Sequence, residues 1–454
     1  MAGNFKFIVM QAPDDAKDRA TTRLARSHAV KAALANKRRQ QQLSGDNFPI
    51  TTLGNPHYAK KKTKGCRRTS ISPILLQLPG ALDPFQTLAV DSTRLQVLLG
   101  DVRARQAPEP VFSVAEELAF QSFHSVFRTG FDDPALVNAI MLSLAFAVTG
   151  NLDRECLRYQ GQAMAYLRER MDSLDEATSE ATIGAILLLT GVVARLGLTS
   201  QVELHMGAVK RLLKICRTKG IYLTPGIKRA IFWQDLNSSI LAGSGRLVDH
   251  TTFTELLWTR DPFVPNFYQL PPGFQTLSHL LGEEFVSVLE DLHALHCVRD
   301  VRNGGRADAM FMLHINNHTA SVQSRLAALS DLSELQECCR LAAYLCSVMV
   351  CCKVWCELVI PSHISSELLH NIHRATESGI WAENPELLVW LLYIGGAFAP
   401  TGTTRSAYLT LLRSKNTVSL HSSGTGLRIL LKKFIWSDKA FVAPTRALFE
   451  EAFG

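Results

Sequence analysis

Beyond about residue 112, apolar residues recur every three or four positions, and the breaks between runs carry the residues that start and stop helices. Ser113-Val-Ala-Glu116 forms a reciprocal capping box, and the run it opens stops at Gly130. Asp133-Pro134 pairs a capping carboxylate with proline at the first helical position, and its run stops at Gly150. Thr199 or Ser200 opens a segment ending at Gly220, and Thr224-Pro225 opens one ending near Gly243. Similar patterns recur at 152–171, 178–197, 275–299, 307–329, 331–358, 384–398, 403–415 and 425–435. No segment shows a series of alternating strand positions. The predicted class is all-α.

The faces of these segments predict their depth. In 199–220, Val202, Met206, Val209, Leu213 and Cys216 share one face, while Lys210, Arg211, Lys214 and Arg217 share the other. Leu136, Val137, Ile140, Met141, Leu144 and Val148 surround their helix, which predicts a central position. The starts hold no fixed period, so a packed multi-helix bundle or helical array fits better than a regular solenoid. Pro262, Pro265, Pro271 and Pro272 mark 244–274 as an irregular connection between two halves.

Charge divides the chain differently. Residues 1–68 hold 15 Lys and Arg against four Asp and Glu, a net of +11, whereas the remaining 386 residues hold 33 against 37, a net of −4. Residues 1–72 read as a basic, mostly disordered N-terminal arm, and 73–454 as the all-α domain. Within the arm, 17–42 is rich in Ala and Arg and predicts one conditional helix that ends before Gly45. Lys37, Arg38 and Arg39 close its basic pattern. Lys60, Lys61, Lys62, Lys64, Arg67 and Arg68 place six positive charges within nine residues. Such a run suits an import receptor or a nucleic-acid backbone, because flexible cations neutralise phosphates without reading bases. No leucine heptads follow the conditional helix, which argues against a basic-zipper dimer.

Composition narrows the chemistry. The stretch Phe5–Met10 is interrupted by Lys6 and followed by Asp14 and Asp15, unlike a secretory signal, and no apolar run reaches the ~18–20 residues of a membrane helix. The expectation is an intracellular chain with reduced thiols and no membrane partner. Cys338, Cys339, Cys346, Cys351, Cys352 and Cys356 crowd one helical segment, but only Cys352 and Cys356 are close enough to act together. Buried apolar cysteine is the expectation. His293 and His296, with Cys297, lack an HExxH arrangement and read as a partly exposed structural face. Asp132-Asp133-Pro134 reads as a helix cap rather than a metal-binding acid pair. No GxSxG elbow, phosphate-binding GxxxxGK[ST] loop or GxGxxG fingerprint occurs. The expectation is a protein that is not an enzyme and carries no cofactor or metal.

Several short motifs taken in order then acquire meaning. They are Phe5-Lys-Phe-Ile-Val, Lys17-Asp18, Arg26-Ser27-His28, Lys37-Arg38-Arg39, Asp83-Pro84-Phe85, His205-x-Gly207-Ala208, Trp233-x-Asp235, Trp390, Gly395-Gly396-Ala397 and Phe434-Ile435-Trp436. The ordered set resembles the fungal-specific transcription factor family, in the form that lacks a zinc cluster and includes regulators of the trichothecene-cluster type. The resemblance implies an all-α regulatory domain in the nucleus, controlling a secondary-metabolite or mycotoxin gene cluster. It implies as partners DNA, directly or through other transcription proteins, together with a nuclear import receptor. The Cys-x2-Cys-x6-Cys zinc motif of many relatives is absent here. The rival expectation is a helical scaffold that holds partner proteins without touching DNA.

Overall fold

The computed structural model describes residues 89–104, 133–261, 267–301, 309–351, 359–414 and 424–453. Among them are sixteen α-helices and three short 3-10 turns, with no strand. In chain order the helices are α1 (Ser92–Gly100), α2 (Pro134–Thr149), α3 (Arg154–Arg170), α4 (Leu174–Ala177), α5 (Glu180–Arg195), α6 (Thr199–Lys219) and α7 (Pro225–Ala242). Then come α8 (Pro272–Gln275), α9 (Glu283–Val301), α10 (Ala309–Ala328), α11 (Glu334–Cys351) and α12 (Val359–Glu377). The last four are α13 (Pro385–Ala397), α14 (Thr403–Leu412), α15 (Gly424–Leu431) and α16 (Asp438–Phe453). The all-α expectation holds. The arm, its boundary at 72/73 and the 113–130 segment lie outside the described residues.

The predicted punctuation explains where helices begin and end. Asp133 accepts a hydrogen bond from the Leu136 amide at 2.9 Å ahead of Pro134, and Gly150 closes α2 at φ 71°. Asp133 also pairs with Arg170 at 2.7 Å, which ties the start of α2 to the end of α3. Thr224 caps α7, while Gly220 at φ 67° ends α6. The start of α6 differs from the capping expectation. Thr199 is its first helical residue and donates its hydroxyl hydrogen to the Ala242 carbonyl at 2.5 Å, so Leu198 stands at the cap with no side-chain bond.

Two apolar cores organise the helices. In the first, every residue from Ala135 to Phe146 of α2 is buried, so the all-round apolar pattern did mark a central helix. Helices α1, α3 and α5 pack around α2, and α6 and α7 pack on α5. The second core is centred on α13, which touches α11, α12, α14, α15 and α16. Trp390 of α13 is fully buried, with its Nε1 donating to the Ile435 carbonyl at 3.1 Å and Phe274 and Phe434 against its ring. Gly395 and Gly396 admit this packing. A Cβ on Gly396 would stand 2.8 Å from Leu448 Cδ2, and one on Gly395 would overlap the Tyr408 phenol. Tyr408 donates to the Ser365 carbonyl, and the Ser365 hydroxyl donates to the Gly395 carbonyl, each at 2.8 Å.

Helix α10 joins the cores. Ile315, Val322 and Leu326 belong to the second, whereas Ala320 belongs to the first. Between α7 and α8 the described chain holds little regular structure, the 3-10 turn Thr254–Leu256 being its main element before Leu270, in line with the predicted irregular connection.

Three expectations need correction. On α6 the buried leucine is Leu212, with Leu213 half-buried, because the burying face lies slightly to one side of the ideal stripe. The apolar helical patterns around Trp233, Trp390 and Trp436 predict all three as core, but Trp436 is half-buried, since its Nε1 reaches out to Asp438 Oδ1 at 2.6 Å. His296 is buried rather than partly exposed, with its ring 5.7 Å from that of Phe441.

Candidate functional site

The predicted basic residues Lys37, Arg38, Arg39, Lys60, Lys61, Lys62, Lys64, Arg67 and Arg68 lie outside the described residues. The cysteine cluster is described in part. Cys338, Cys339 and Cys346 are buried free thiols, and burial pushes the Cys338 thiol up to about 12 and raises the other two as well. A thiol so far above its ordinary range stays protonated and is a poor ligand or nucleophile at neutral pH. Among the described residues, no three His, Cys, Asp or Glu converge to hold a metal ion.

Two other arrangements stand out, and they treat charge in opposite ways. The first is a polar seam where the connection after α7 runs past α9 and α10. Asp235 of α7 is almost fully buried and holds the start of that connection, accepting from Arg246 Nε at 2.9 Å and from the Leu247 and Val248 amides at 3.0 and 3.2 Å. Buried Arg229 donates to Asn316 Oδ1 at 2.7 Å and to the Glu255 carbonyl. Burial lowers its guanidinium to about 10, so it remains charged at neutral pH. Asn317 donates to the Glu255 and Leu257 carbonyls, each at 3.1 Å. The connection is thereby sewn to α10.

The seam continues through aromatic and ionic contacts. Trp258 stacks on His318 of α10, with ring centroids 3.8 Å apart and planes 10° from parallel. Its indole N–H points to His314 Nε2 at 3.4 Å. Arg260 donates to Asp291 Oδ1 of α9 at 2.7 Å and to Glu290 Oε2 at 3.0 Å, and Arg325 of α10 pairs with the other Asp291 oxygen. Burial, followed by the neighbouring His314, pushes the His318 imidazole down to about 3. Burial also lowers His250, His293 and His314. These imidazoles are neutral at pH 7, and each guanidinium of the seam has a carboxylate or carbonyl partner. His293 Nε2 lies 3.8 Å from Cys297 Sγ, but among the described residues no carboxylate hydrogen-bonds that imidazole to orient it as a base. The seam's chemistry is that of a clamp. Sequence spacing could not reveal it, because its partners are 11 to 87 residues apart.

The second arrangement is the outer face of α6. Lys210, Arg211, Lys214 and Arg217 are all exposed there, as their pattern predicts. At ~100° per residue they fall within an arc of about 120°, directed away from buried Val202, His205, Val209, Leu212 and Cys216. No family model, curated protein or solved structure matches the chain.

Proposed function

We propose that the protein is a nuclear regulator of transcription, controlling a biosynthetic gene cluster, and that its basic N-terminal arm supplies electrostatic contacts to DNA. The observation that carries this reading is the segregation of charge: +11 in residues 1–68 against −4 in the rest. A polyanion is the natural partner of such an arm, since releasing condensed counterions gives affinity without base contacts. The ordered motifs resembling fungal-specific transcription factors supply the word transcription. An all-α body is compatible with that family.

In this reading the arm both enters the nucleus and tethers the body to DNA, while selection among genes comes from protein partners. Mapping chromatin occupancy of the tagged full chain, beside a variant with Lys60, Lys61, Lys62, Lys64, Arg67 and Arg68 changed to Ala, tests it. Occupancy concentrated at a gene cluster and lost in the variant is expected. A folded variant that still enters the nucleus and keeps the same occupancy would refute the arm's role and point to a body that works as a protein scaffold.

A further inference from the structure

The basic face of α6 has no structural use that the contacts reveal. Several cations elsewhere on the body sit in ion pairs, among them Arg94 with Glu155, Lys228 with Glu255, Arg340 with Glu337, Arg405 with Glu451, and Lys433 with Glu386. Lys210, Arg211, Lys214 and Arg217 make no ion pair or side-chain hydrogen bond among the described residues. Their mutual spacing is repulsive. Lys210 and Lys214 are four apart, and Lys214 stands three from both Arg211 and Arg217. Like charges at these separations destabilise a helix by about 0.2–0.5 kcal/mol per pair. Four clustered cations on a body whose residues after 68 sum to −4 are therefore a local reversal of sign maintained at a cost.

The geometry points to this face as a second phosphate-contacting surface, one that lies against the backbone of duplex DNA. Lys210 to Arg217 covers about 10 Å of helix, close to the rise of three phosphates at ~3.4 Å along one strand. Charge complementarity selects the occupant. An acidic protein segment or a membrane surface would call for large apolar anchors among the cations. The exposed apolar residues nearest in sequence, Leu204 and Tyr222, lie beyond the ends of the stripe, and none interrupts it. A face of charge alone suits phosphates. Duplex DNA as the polyanion rests on the function proposed above, but the surface itself is independent of the arm.

The test measures binding of the full chain to a duplex of arbitrary sequence across salt concentration. Four phosphate contacts contribute about 3–4 to the log–log salt slope, and six in the arm about 5. Changing Lys210, Arg211, Lys214 and Arg217 together to Ala should shrink the slope by about 3–4. Between 50 and 200 mM salt this variant should then lose about 100-fold less affinity than wild type. Swapping each Lys for Arg and each Arg for Lys should retain the slope. Circular dichroism and denaturation confirm folding, which exposed Ala in a helix should not disturb.

An unchanged slope in the folded quadruple-Ala variant would overturn the inference, even if the arm variant loses its own share. A slope lost with α6 but unaffected by the arm would support it and refute the arm's role instead. If the quadruple variant loses binding to polyglutamate while duplex binding is unchanged, the partner is an acidic protein segment and the inference falls. Absence of duplex binding by wild type would overturn both.

Discussion

The polar seam and the outer face of α6 use the same residue types under opposite conditions. In the seam, Asp291 is nearly fully buried, and its two carboxylate oxygens take Arg260 and Arg325. On α6, four cations stand together in water, and none pairs with an acid among the described residues. Burial explains the contrast. A charge withdrawn from water must be paired, because its desolvation costs several kcal/mol, whereas an exposed cluster costs only weak, screened repulsion. Pairing in the seam is therefore compulsory, and the lack of it on α6 is tolerated. What burial forces says little about function; what solvent merely tolerates says more.

The comparison breaks most readily at the seam. Asp291→Ala leaves Arg260 and Arg325 facing each other without their shared acid, and should cost about 2–4 kcal/mol, discounted because both guanidiniums reach solvent. Urea denaturation at pH 7 measures this. A loss below about 0.5 kcal/mol would mean that the seam is not compulsory. Arg229→Met should cost somewhat less, about 1–3 kcal/mol, since it leaves the Asn316 side-chain oxygen without its Arg229 donor and the Glu255 carbonyl with Asn317 as its remaining donor. Stability equal to wild type would show that a hydrocarbon stem suffices there.

The same contrast governs what the sequence made legible. Positions decided by local chemistry were readable: Asp133 as a cap, Gly150 and Gly220 as stops, the all-round apolar α2, and the exposed basic stripe of α6. Positions decided by distant partners were not. Trp258 and His318 are sixty residues apart and meet only because the connection folds back over α10. Two of the longer helices also escaped the pattern. In α16, Pro444 sits inside the helix and reads as a breaker, yet Phe441, Leu448 and Ala452 still bury one face. In α12, Ile360, Ile364, Leu368 and Ile372 keep a four-residue spacing that intervening Ser and His residues obscure. Of the proposed surfaces, the arm was legible as composition and α6 as spacing.

Acid should weaken the seam by a smaller, graded amount. His318 has its imidazole held down to about 3 by burial, whereas in the unfolded chain it titrates near 6.5. Between those values the unfolded chain binds the extra proton, so stability is fully present above about pH 6.5 and falls as pH is lowered. The contribution should approach about 1.4 kcal/mol per pH unit well below 6.5. Around the ring stand His314, Arg260, Arg325 and Asp291. His318→Phe keeps a ring against Trp258 but cannot titrate. Its stability should therefore vary less with pH between 6.5 and 5 than wild type, with the remaining slope due to His205, His250, His293 and His314. Parallel profiles for the two proteins would show that His318 is not the acid-sensitive element.

The smallest expected effect has the opposite sign and tests the other side of the comparison. Lys214 lies between Lys210, Arg211 and Arg217 on the exposed face. Lys214→Glu turns three repulsive spacings into attractive ones, each worth about 0.2–0.5 kcal/mol. A carboxylate six residues before Gly220, which ends the helix, gives back little to the helix dipole, whose influence is confined to the last turn. The variant should gain about 0.5–1 kcal/mol in thermal or urea denaturation at low salt. In about 1 M salt, where the Debye length is ~3 Å, the gain should nearly vanish. That result would make the native lysine a residue kept against stability, as a phosphate-contacting face requires. A loss of more than about 0.5 kcal/mol would instead mean that the four cations stabilise the body. The contrast between compulsory pairing in the seam and tolerated repulsion on α6 would then no longer hold.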